Sequence, residues 1–350
     1  MELCHVPIDA TSLNLALKAA VLANNIPRMH AILARFGALP GSSSAAEISS
    51  LFAKSSVSRW TVSTYTHLLH YCARTSNMEF MLLTLFTAHA YQVKLEEDAW
   101  LHVIDCAFEA REPQIAWEAV QRADAIHPVS PTVWMHVLRA CAVHDYPVGL
   151  PLAWERSVVQ GGLVPDDGLL MHALISASRA GLSTLATQIL EKVPSPSDTF
   201  LVPALDAHCE AGNFDAAVVV LAYMHSHSMP LQPTLLAHLT STAAADDLSL
   251  QQAAEALLAS TAPLSLAVWN AVLYAAAERS AITLTERIVN AMRVTNAETY
   301  QVWLLACLHA KDLAAGQRAW ASLRASKVQP TATCYERMAR FLSMTKRLHY

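Results

Sequence analysis

Catalysis and metal binding need reactive side chains held at short, fixed spacings. The 350 residues contain 16 histidines and 7 cysteines. His67 and His70 stand close together, as do His225 and His227, but neither pair lies in an HExxH frame or beside a cysteine pair that would complete a zinc site. Both pairs read as surface or groove histidines. No two cysteines form a CxxC; Cys72, Cys141 and Cys307 each fall seven residues past an aromatic residue (Tyr65, Trp134 and Tyr300), with Cys106 and Cys209 at related points. Small, buried packing residues recur in this way. The chain has no GxxxxGK[ST], GxGxxG or GxSxG, and Gly161-Gly162 reads as a turn. No catalytic residue, metal or cofactor is expected.

Charge is the remaining chemistry. From Lys311 to Tyr350 eight Lys and Arg face only Asp312 and Glu336, a balance of +6, which leaves −11 for the other 310 residues of a chain whose formal charge is −5. Attraction for phosphate is therefore concentrated at Arg324, Lys327, Arg337, Arg340 and their neighbours. Apolar residues make up 53% and charged residues 15%, enough core material to exclude disorder as the main state. Glycine occurs nine times, too few for the tight turns of doubly wound sheets and barrels, so the composition points to helices. The aliphatic runs, such as Ala216 to Met224, are too short to span a bilayer. Without CxxC pairs, Asn-x-Ser/Thr acceptors or a secretory apolar core, a reducing compartment is expected. Met1-Glu2-Leu3 and Asp9 place acid where a transit peptide would be Arg-rich, so either no presequence is cleaved or the N-terminus lies further upstream.

The elements that must position these residues repeat. Anchors at Leu13, Tyr65, Trp100, Trp134, Leu170, Leu201, Leu236, Trp269, Tyr300 and Tyr335 follow a first interval of 52 residues with intervals of 31 to 36. Behind each anchor the apolar residues fall at helical spacing, as in Tyr65, Leu68, Leu69 and Cys72. Turn residues then break the pattern, at Asp145-Tyr146-Pro147, Ala180-Gly181 and Ala211-Gly212-Asn213, before a second helix such as Ala216 to Met224, Thr283 to Met292 or Ala314 to Leu323. Pro165, Pro233 and Pro330 end the units. A hairpin this short buries one face, and stacking on its neighbours supplies the rest of the core. The expected fold is all-α: one solenoid of about nine hairpins and a terminal helix. Residues 1–57 form a degenerate N-terminal repeat, with a flexible Pro40-Gly41-Ser42-Ser43-Ser44 loop and an extra helix near Ala45 to Val57. Residues 58–350 form the solenoid, ending in the basic segment.

Four residues after the anchor stand Leu17, Leu69, Ile104, Leu138, Leu174, Leu205, Thr240, Leu273, Leu304 and Ala339, where a tetratricopeptide repeat requires glycine. The units instead resemble the pentatricopeptide repeat, as in Trp269-Asn270-Ala271-Val272-Leu273, Cys209 to Ala217, Gly161-Gly162-Leu163-Val164-Pro165-Asp166 and Lys327-Val328-Gln329-Pro330-Thr331. That resemblance covers nearly the whole chain from about Ser12. It implies a right-handed superhelix that is an adaptor and not an enzyme, and it implies single-stranded organellar RNA as the partner, one base per repeat. The family reads each base with the residue after the anchor and the one four before the next anchor. Carried over, these pair as Thr66/Glu96, Leu101/Ser130, Met135/Asp166, Met171/Ser197, Val202/Gln232, Ala237/Ser265, Asn270/Asn296 and Gln301/Thr331. Five of the eight first residues are apolar, and Asn270/Asn296 is the usual family pair, one that favours a pyrimidine. At ~1–3 kcal/mol per base contact, three working repeats fall short of the ~12 kcal/mol of nanomolar binding. The resemblance therefore implies modest specificity, in mitochondrial RNA processing, stability or translation. The alternative is a protein-binding scaffold for the mitochondrial ribosome or for respiratory-complex assembly, which the acidic body and apolar reading positions suit.

Overall fold

A computed structural model describes residues 10–23, 25, 27–28, 31–32 and 60–347. The expected Pro40–Ser44 loop and the extra helix at 45–57 lie outside them. The chain divides into two units, residues 1–173 and 174–350, and each is a stack of helix hairpins, an α-solenoid.

Unit 1 holds α1 (Ala10–Leu22), α2 (Val62–Thr75), α3 (Met78–Ala90), α4 (Glu97–Glu109), α5 (Pro113–Ile126), α6 (Pro131–Val143) and α7 (Leu150–Trp154), the last running on into a π-helical turn, Glu155–Val159. The boundary between units falls inside α8 (Asp167–Arg179). Unit 2 continues with α9 (Ser183–Lys192), α10 (Asp198–Glu210), α11 (Phe214–Ser226), α12 (Pro233–Ala243), α13 (Asp247–Ala259), α14 (Leu266–Glu278), α15 (Ile282–Ala291), α16 (Ala297–Ala310), α17 (Leu313–Ala325) and α18 (Ala332–Arg347). First helices pack on first helices: α1 on α2, α2 on α4 and α4 on α6 in unit 1, then α10 on α12, α14, α16 and α18 in succession in unit 2.

Local chemistry starts and stops each helix as the turn residues indicate. Asn77, Asn213 and Asp312 cap α3, α11 and α17, accepting from the backbone N–H of Phe80 (3.0 Å), Ala216 (3.3 Å) and Ala315 (3.0 Å). Pro131 and Pro233 occupy first turns, where a missing N–H costs nothing. Gly181 and Gly212 turn the chain with φ of +63° and +67°, a conformation a side chain opposes. Gly316 has a different reason: a Cβ there would lie 2.8 Å from the Phe341 ring, so α17 and α18 touch because this residue has no side chain.

The core is the predicted stripe repeated. Tyr65, Leu68, Leu69 and Cys72 are at most 1% exposed, and Val137, Leu138 and Cys141, or Val272 and Leu273, repeat the layer in later hairpins. Each such leucine contributes about 1.5–3 kcal/mol by leaving water. All six cysteines among the described residues are buried, the five whose spacing indicates it and Cys334 as well. Burial pushes the Cys141, Cys209 and Cys307 thiols up to about 12, so they remain protonated and unreactive. Trp134 is fully packed, whereas Trp100 and Trp269 are half-buried. One histidine departs from the surface pattern: His208 is 1% exposed, and burial lowers its pKa so that the ring is held neutral. No helix among the described residues is long and apolar enough to cross a membrane, and no three His, Cys, Asp or Glu side chains there gather as a metal site.

Candidate nucleic-acid interface

A helix places residues four apart on one face, so the residue after the anchor shares its face with those four and eight further on. In α10 these are Val202, Asp206 and Glu210, and they wall a cleft of about 300 Å³. Gln232, which opens α12, and His238 within α12 complete it. The paired positions Val202 and Gln232 thus converge across two repeats. Around them the chemistry is acidic: His238 Nε2 lies 3.9 Å from Asp206 Oδ1 and 3.4 Å from Glu210 Oε1. Burial raises the Asp206 pKa, and the histidine acts against that rise.

The next cleft, about 420 Å³, contains Ala237 from α12, Asn270, Tyr274 and Glu278 from α14, and Glu298 from α16. Asn270 and Asn296 come together here, the amide Nδ2 donating to Asn296 Oδ1 at 3.4 Å. A shorter bond, 2.8 Å, runs from the same Nδ2 to Glu298 Oε2, and Thr299 Oγ1 donates to Asn270 Oδ1 at 2.9 Å. Asn296 also caps α16, accepting from the Thr299 N–H at 2.9 Å while its own N–H donates back to Thr299 Oγ1. Asn270 is consequently 2% exposed, with both ends of its amide engaged. A base edge meeting it must displace the Glu298 carboxylate.

At the basic end, Gln301 Nε2 donates to Thr331 Oγ1 at 2.6 Å, joining α16 to the start of α18. Arg337 reaches back to the Gln301 carbonyl, and Arg340 pairs with Glu336 at 2.6 Å within its own helix. Arg324 and Lys327 are exposed at the turn between α17 and α18. Of these cations Arg337 touches the Gln301/Thr331 pair, through the Gln301 carbonyl.

Unit 1 places its predicted residues differently. Thr66 turns its hydroxyl back on the Val62 carbonyl at 3.1 Å. Glu96 lines a cleft of about 530 Å³ with Lys94, Trp100 and Ser130, and Thr66 is not among its walls. Met135 is half-buried in α6. Asp166 is occupied on both oxygens: Oδ1 accepts the Leu169 N–H at 2.8 Å, which caps α8, and Oδ2 accepts Arg139 Nη2 at 2.8 Å.

Sequence reasoning about reading pairs missed Glu298, which holds the Asn270 amide, and the Asp206/Glu210/His238 set. The signal for the latter was present in the register, since Asp206 and Glu210 lie one and two helical turns beyond Val202. Glu298 carried no such mark. It stands in the first turn of α16, two residues past the N-cap Asn296, and accepts from the Asn270 amide across the repeat.

A family model described as pentatricopeptide repeat-containing protein matches residues 167–293. No curated protein matches the sequence. Among solved structures, the pentatricopeptide repeat protein PPR10 from maize aligns over 96% of this chain and 47% of its own, at 12% identity and a TM-score of 0.37. PPR10 in complex with an 18-nt psaJ RNA element aligns over 97% of this chain and 49% of its own, at 15% identity and a TM-score of 0.39. The chain spans about half the length of these structures. The family match places residues 167–293, on hairpins that keep one register, as similar to pentatricopeptide repeats.

Proposed function

We propose that the chain is a non-enzymatic adaptor that binds single-stranded RNA along its first helices with modest sequence specificity. The observation that carries this is the convergence of side chains from consecutive repeats, Gln301 on Thr331 at 2.6 Å and Asn270 on Asn296 at 3.4 Å. Such pairs offer a donor and an acceptor at one point, which a base edge requires. Arg337, on the Gln301 carbonyl, and the exposed Arg324, Lys327 and Arg340 supply phosphate attraction, whereas Asp206, Glu210, Glu278 and Glu298 oppose it in the preceding clefts. RNA contact is therefore strongest toward residue 347. The family resemblance supports a mitochondrial setting in RNA processing, stability or translation.

Fluorescence anisotropy with short mixed-sequence RNA at two salt concentrations tests the proposal. Binding at low salt that weakens as salt rises is expected, with a slope of about −0.7 per phosphate contacted. No binding at low salt refutes it. The acidic clefts, with apolar residues at five of the eight first reading positions, favour one second reading: a scaffold for mitochondrial ribosomal or respiratory-complex assembly proteins. Associations that resist RNase in affinity purification, together with absent RNA binding, would select that alternative.

A further inference from the structure

The register contains a second periodicity, two residues past the anchor. His67, His102, His136, His172 and His238 all occupy that position, five of the ten first helices. The structure shows what the position faces. In unit 1, His102 stacks on His70 with ring centroids 4.3 Å apart and planes at 4°, and His70 lies five residues past its own anchor, one turn beyond the reading residue Thr66. The same offset sets His67 against Lys18 of α1 and His136 against Asp105 of α4. It recurs in unit 2 with His238 against Asp206. These four first helices thus present the histidine to the residue five past the anchor of the helix before, one turn from the reading position.

We propose that in residues 60–173 this histidine row is a second phosphate-binding surface, additional to the basic residues at the C-terminal end, and that it holds the RNA backbone by taking up protons. The inference rests on the RNA reading above. Its physical basis is the charge on the face. The fixed groups around the row are Lys18 of α1, Arg74 of α2, Asp98, Asp105 and Glu109 of α4, and Arg139 of α6 with its partner Asp166. Three cations meet four carboxylates, so the histidines decide the sign. Burial depresses the His67, His70 and His102 pKa values below 6.5. Their cationic neighbours add to this, Lys18 at His67 and Arg74 at His70, and so do the facing histidines, while Asp98 at His102 and Asp105 at His70 act against it. In the free protein His67, His70 and His102 are therefore held toward the neutral form at physiological pH. A phosphate chain laid over it favours the imidazolium form and raises those pKa values, so binding draws in protons and strengthens as pH falls. A protein ligand could supply the negative charge only as a run of carboxylates. Phosphates instead recur along the strand as the histidines recur along the helices.

The test uses the full chain and a fluorescein-labelled, mixed-sequence 12-nucleotide RNA, at constant ionic strength and at about pH 6, 7 and 8, where the histidines titrate. Each proton taken up gives about tenfold in affinity per pH unit at most, so the expected result is at least a tenfold tighter complex at the acid end. The double variant His70→Gln/His102→Gln should lose most of that dependence, whatever its affinity at the alkaline end. His225→Gln, on the outer helix α11, should keep it. Calorimetry of the unsubstituted chain in buffers of different ionisation enthalpy reads the proton uptake directly, with no variant that must fold. Binding without pH dependence, or dependence that survives in the double variant, overturns the proposal and leaves the RNA reading standing. Absence of binding at every pH removes both. If polyglutamate displaces the RNA equally well at the acid end, the row recognises an acidic protein and the proposal fails.

Discussion

Asn270 has two demands on one amide. It sits at a reading position, yet its side chain is 2% exposed and bridges Glu298 and Thr299 between α14 and α16. Replacing it with alanine leaves the fully buried Thr299 hydroxyl without this acceptor and Glu298 without its donor. Asn270→Ala should therefore destabilise the protein by about 1–3 kcal/mol, read by urea unfolding, whether or not RNA is present. An effect on RNA affinity with unchanged stability would show that the bridge is incidental. The cysteines follow simpler logic. Recurrence seven residues past the anchor marks an inward position, and the structure shows that Cys72, Cys141 and Cys307 are fully buried. His208 gave no such signal. A histidine inside an apolar stripe reads as polar, and only the packing of unit 2 buries it.

Helix boundaries were legible wherever chemistry is local. Asn77 caps α3 through a 3.0 Å bond to the Phe80 N–H, so Asn77→Ala should cost about 1 kcal/mol and increase amide exchange in the first turn of α3 without changing its last turn. Uniform exchange change across the helix would contradict a capping role. Two features escaped the pattern. Pro203 lies inside α10, where its ring removes one backbone donor, yet the helix continues through it. Neighbouring packing of Leu201, Ala204 and Leu205, each at most 2% exposed, holds the helix together. The π-helical turn Glu155–Val159 ends α7 where Ser157 donates to the Ala153 carbonyl at 2.6 Å and Gly161 packs against Pro131. A wider turn lets the chain pass close to the start of α6, a demand that residue spacing along one helix does not carry.

At the scale of the whole molecule, stability in a stacked array is a sum over repeats and their nearest neighbours. Leu273 is fully buried in α14, so Leu273→Ala should cost about 2–5 kcal/mol. Hydrogen exchange mapped by mass spectrometry should rise in α14 and in its neighbours α12 and α16, and stay unchanged in α2 and α4. An equal rise in both units would contradict nearest-neighbour coupling.

The sequence by itself determined the repeat length, the helical class, the inward stripes and most helix ends, because each follows from periodicity or from turn residues acting over a few positions. It also carried the segregation of charge that concentrates the basic residues toward the C-terminal end. What only the tertiary structure decided is which side chains from different repeats meet. Asn270 on Glu298, Arg139 on Asp166 and His70 on His102 are separated by about one repeat in sequence, and their contact depends on how far each helix is rotated about its axis. That rotation is set by packing of whole faces, and spacing along one chain segment does not contain it.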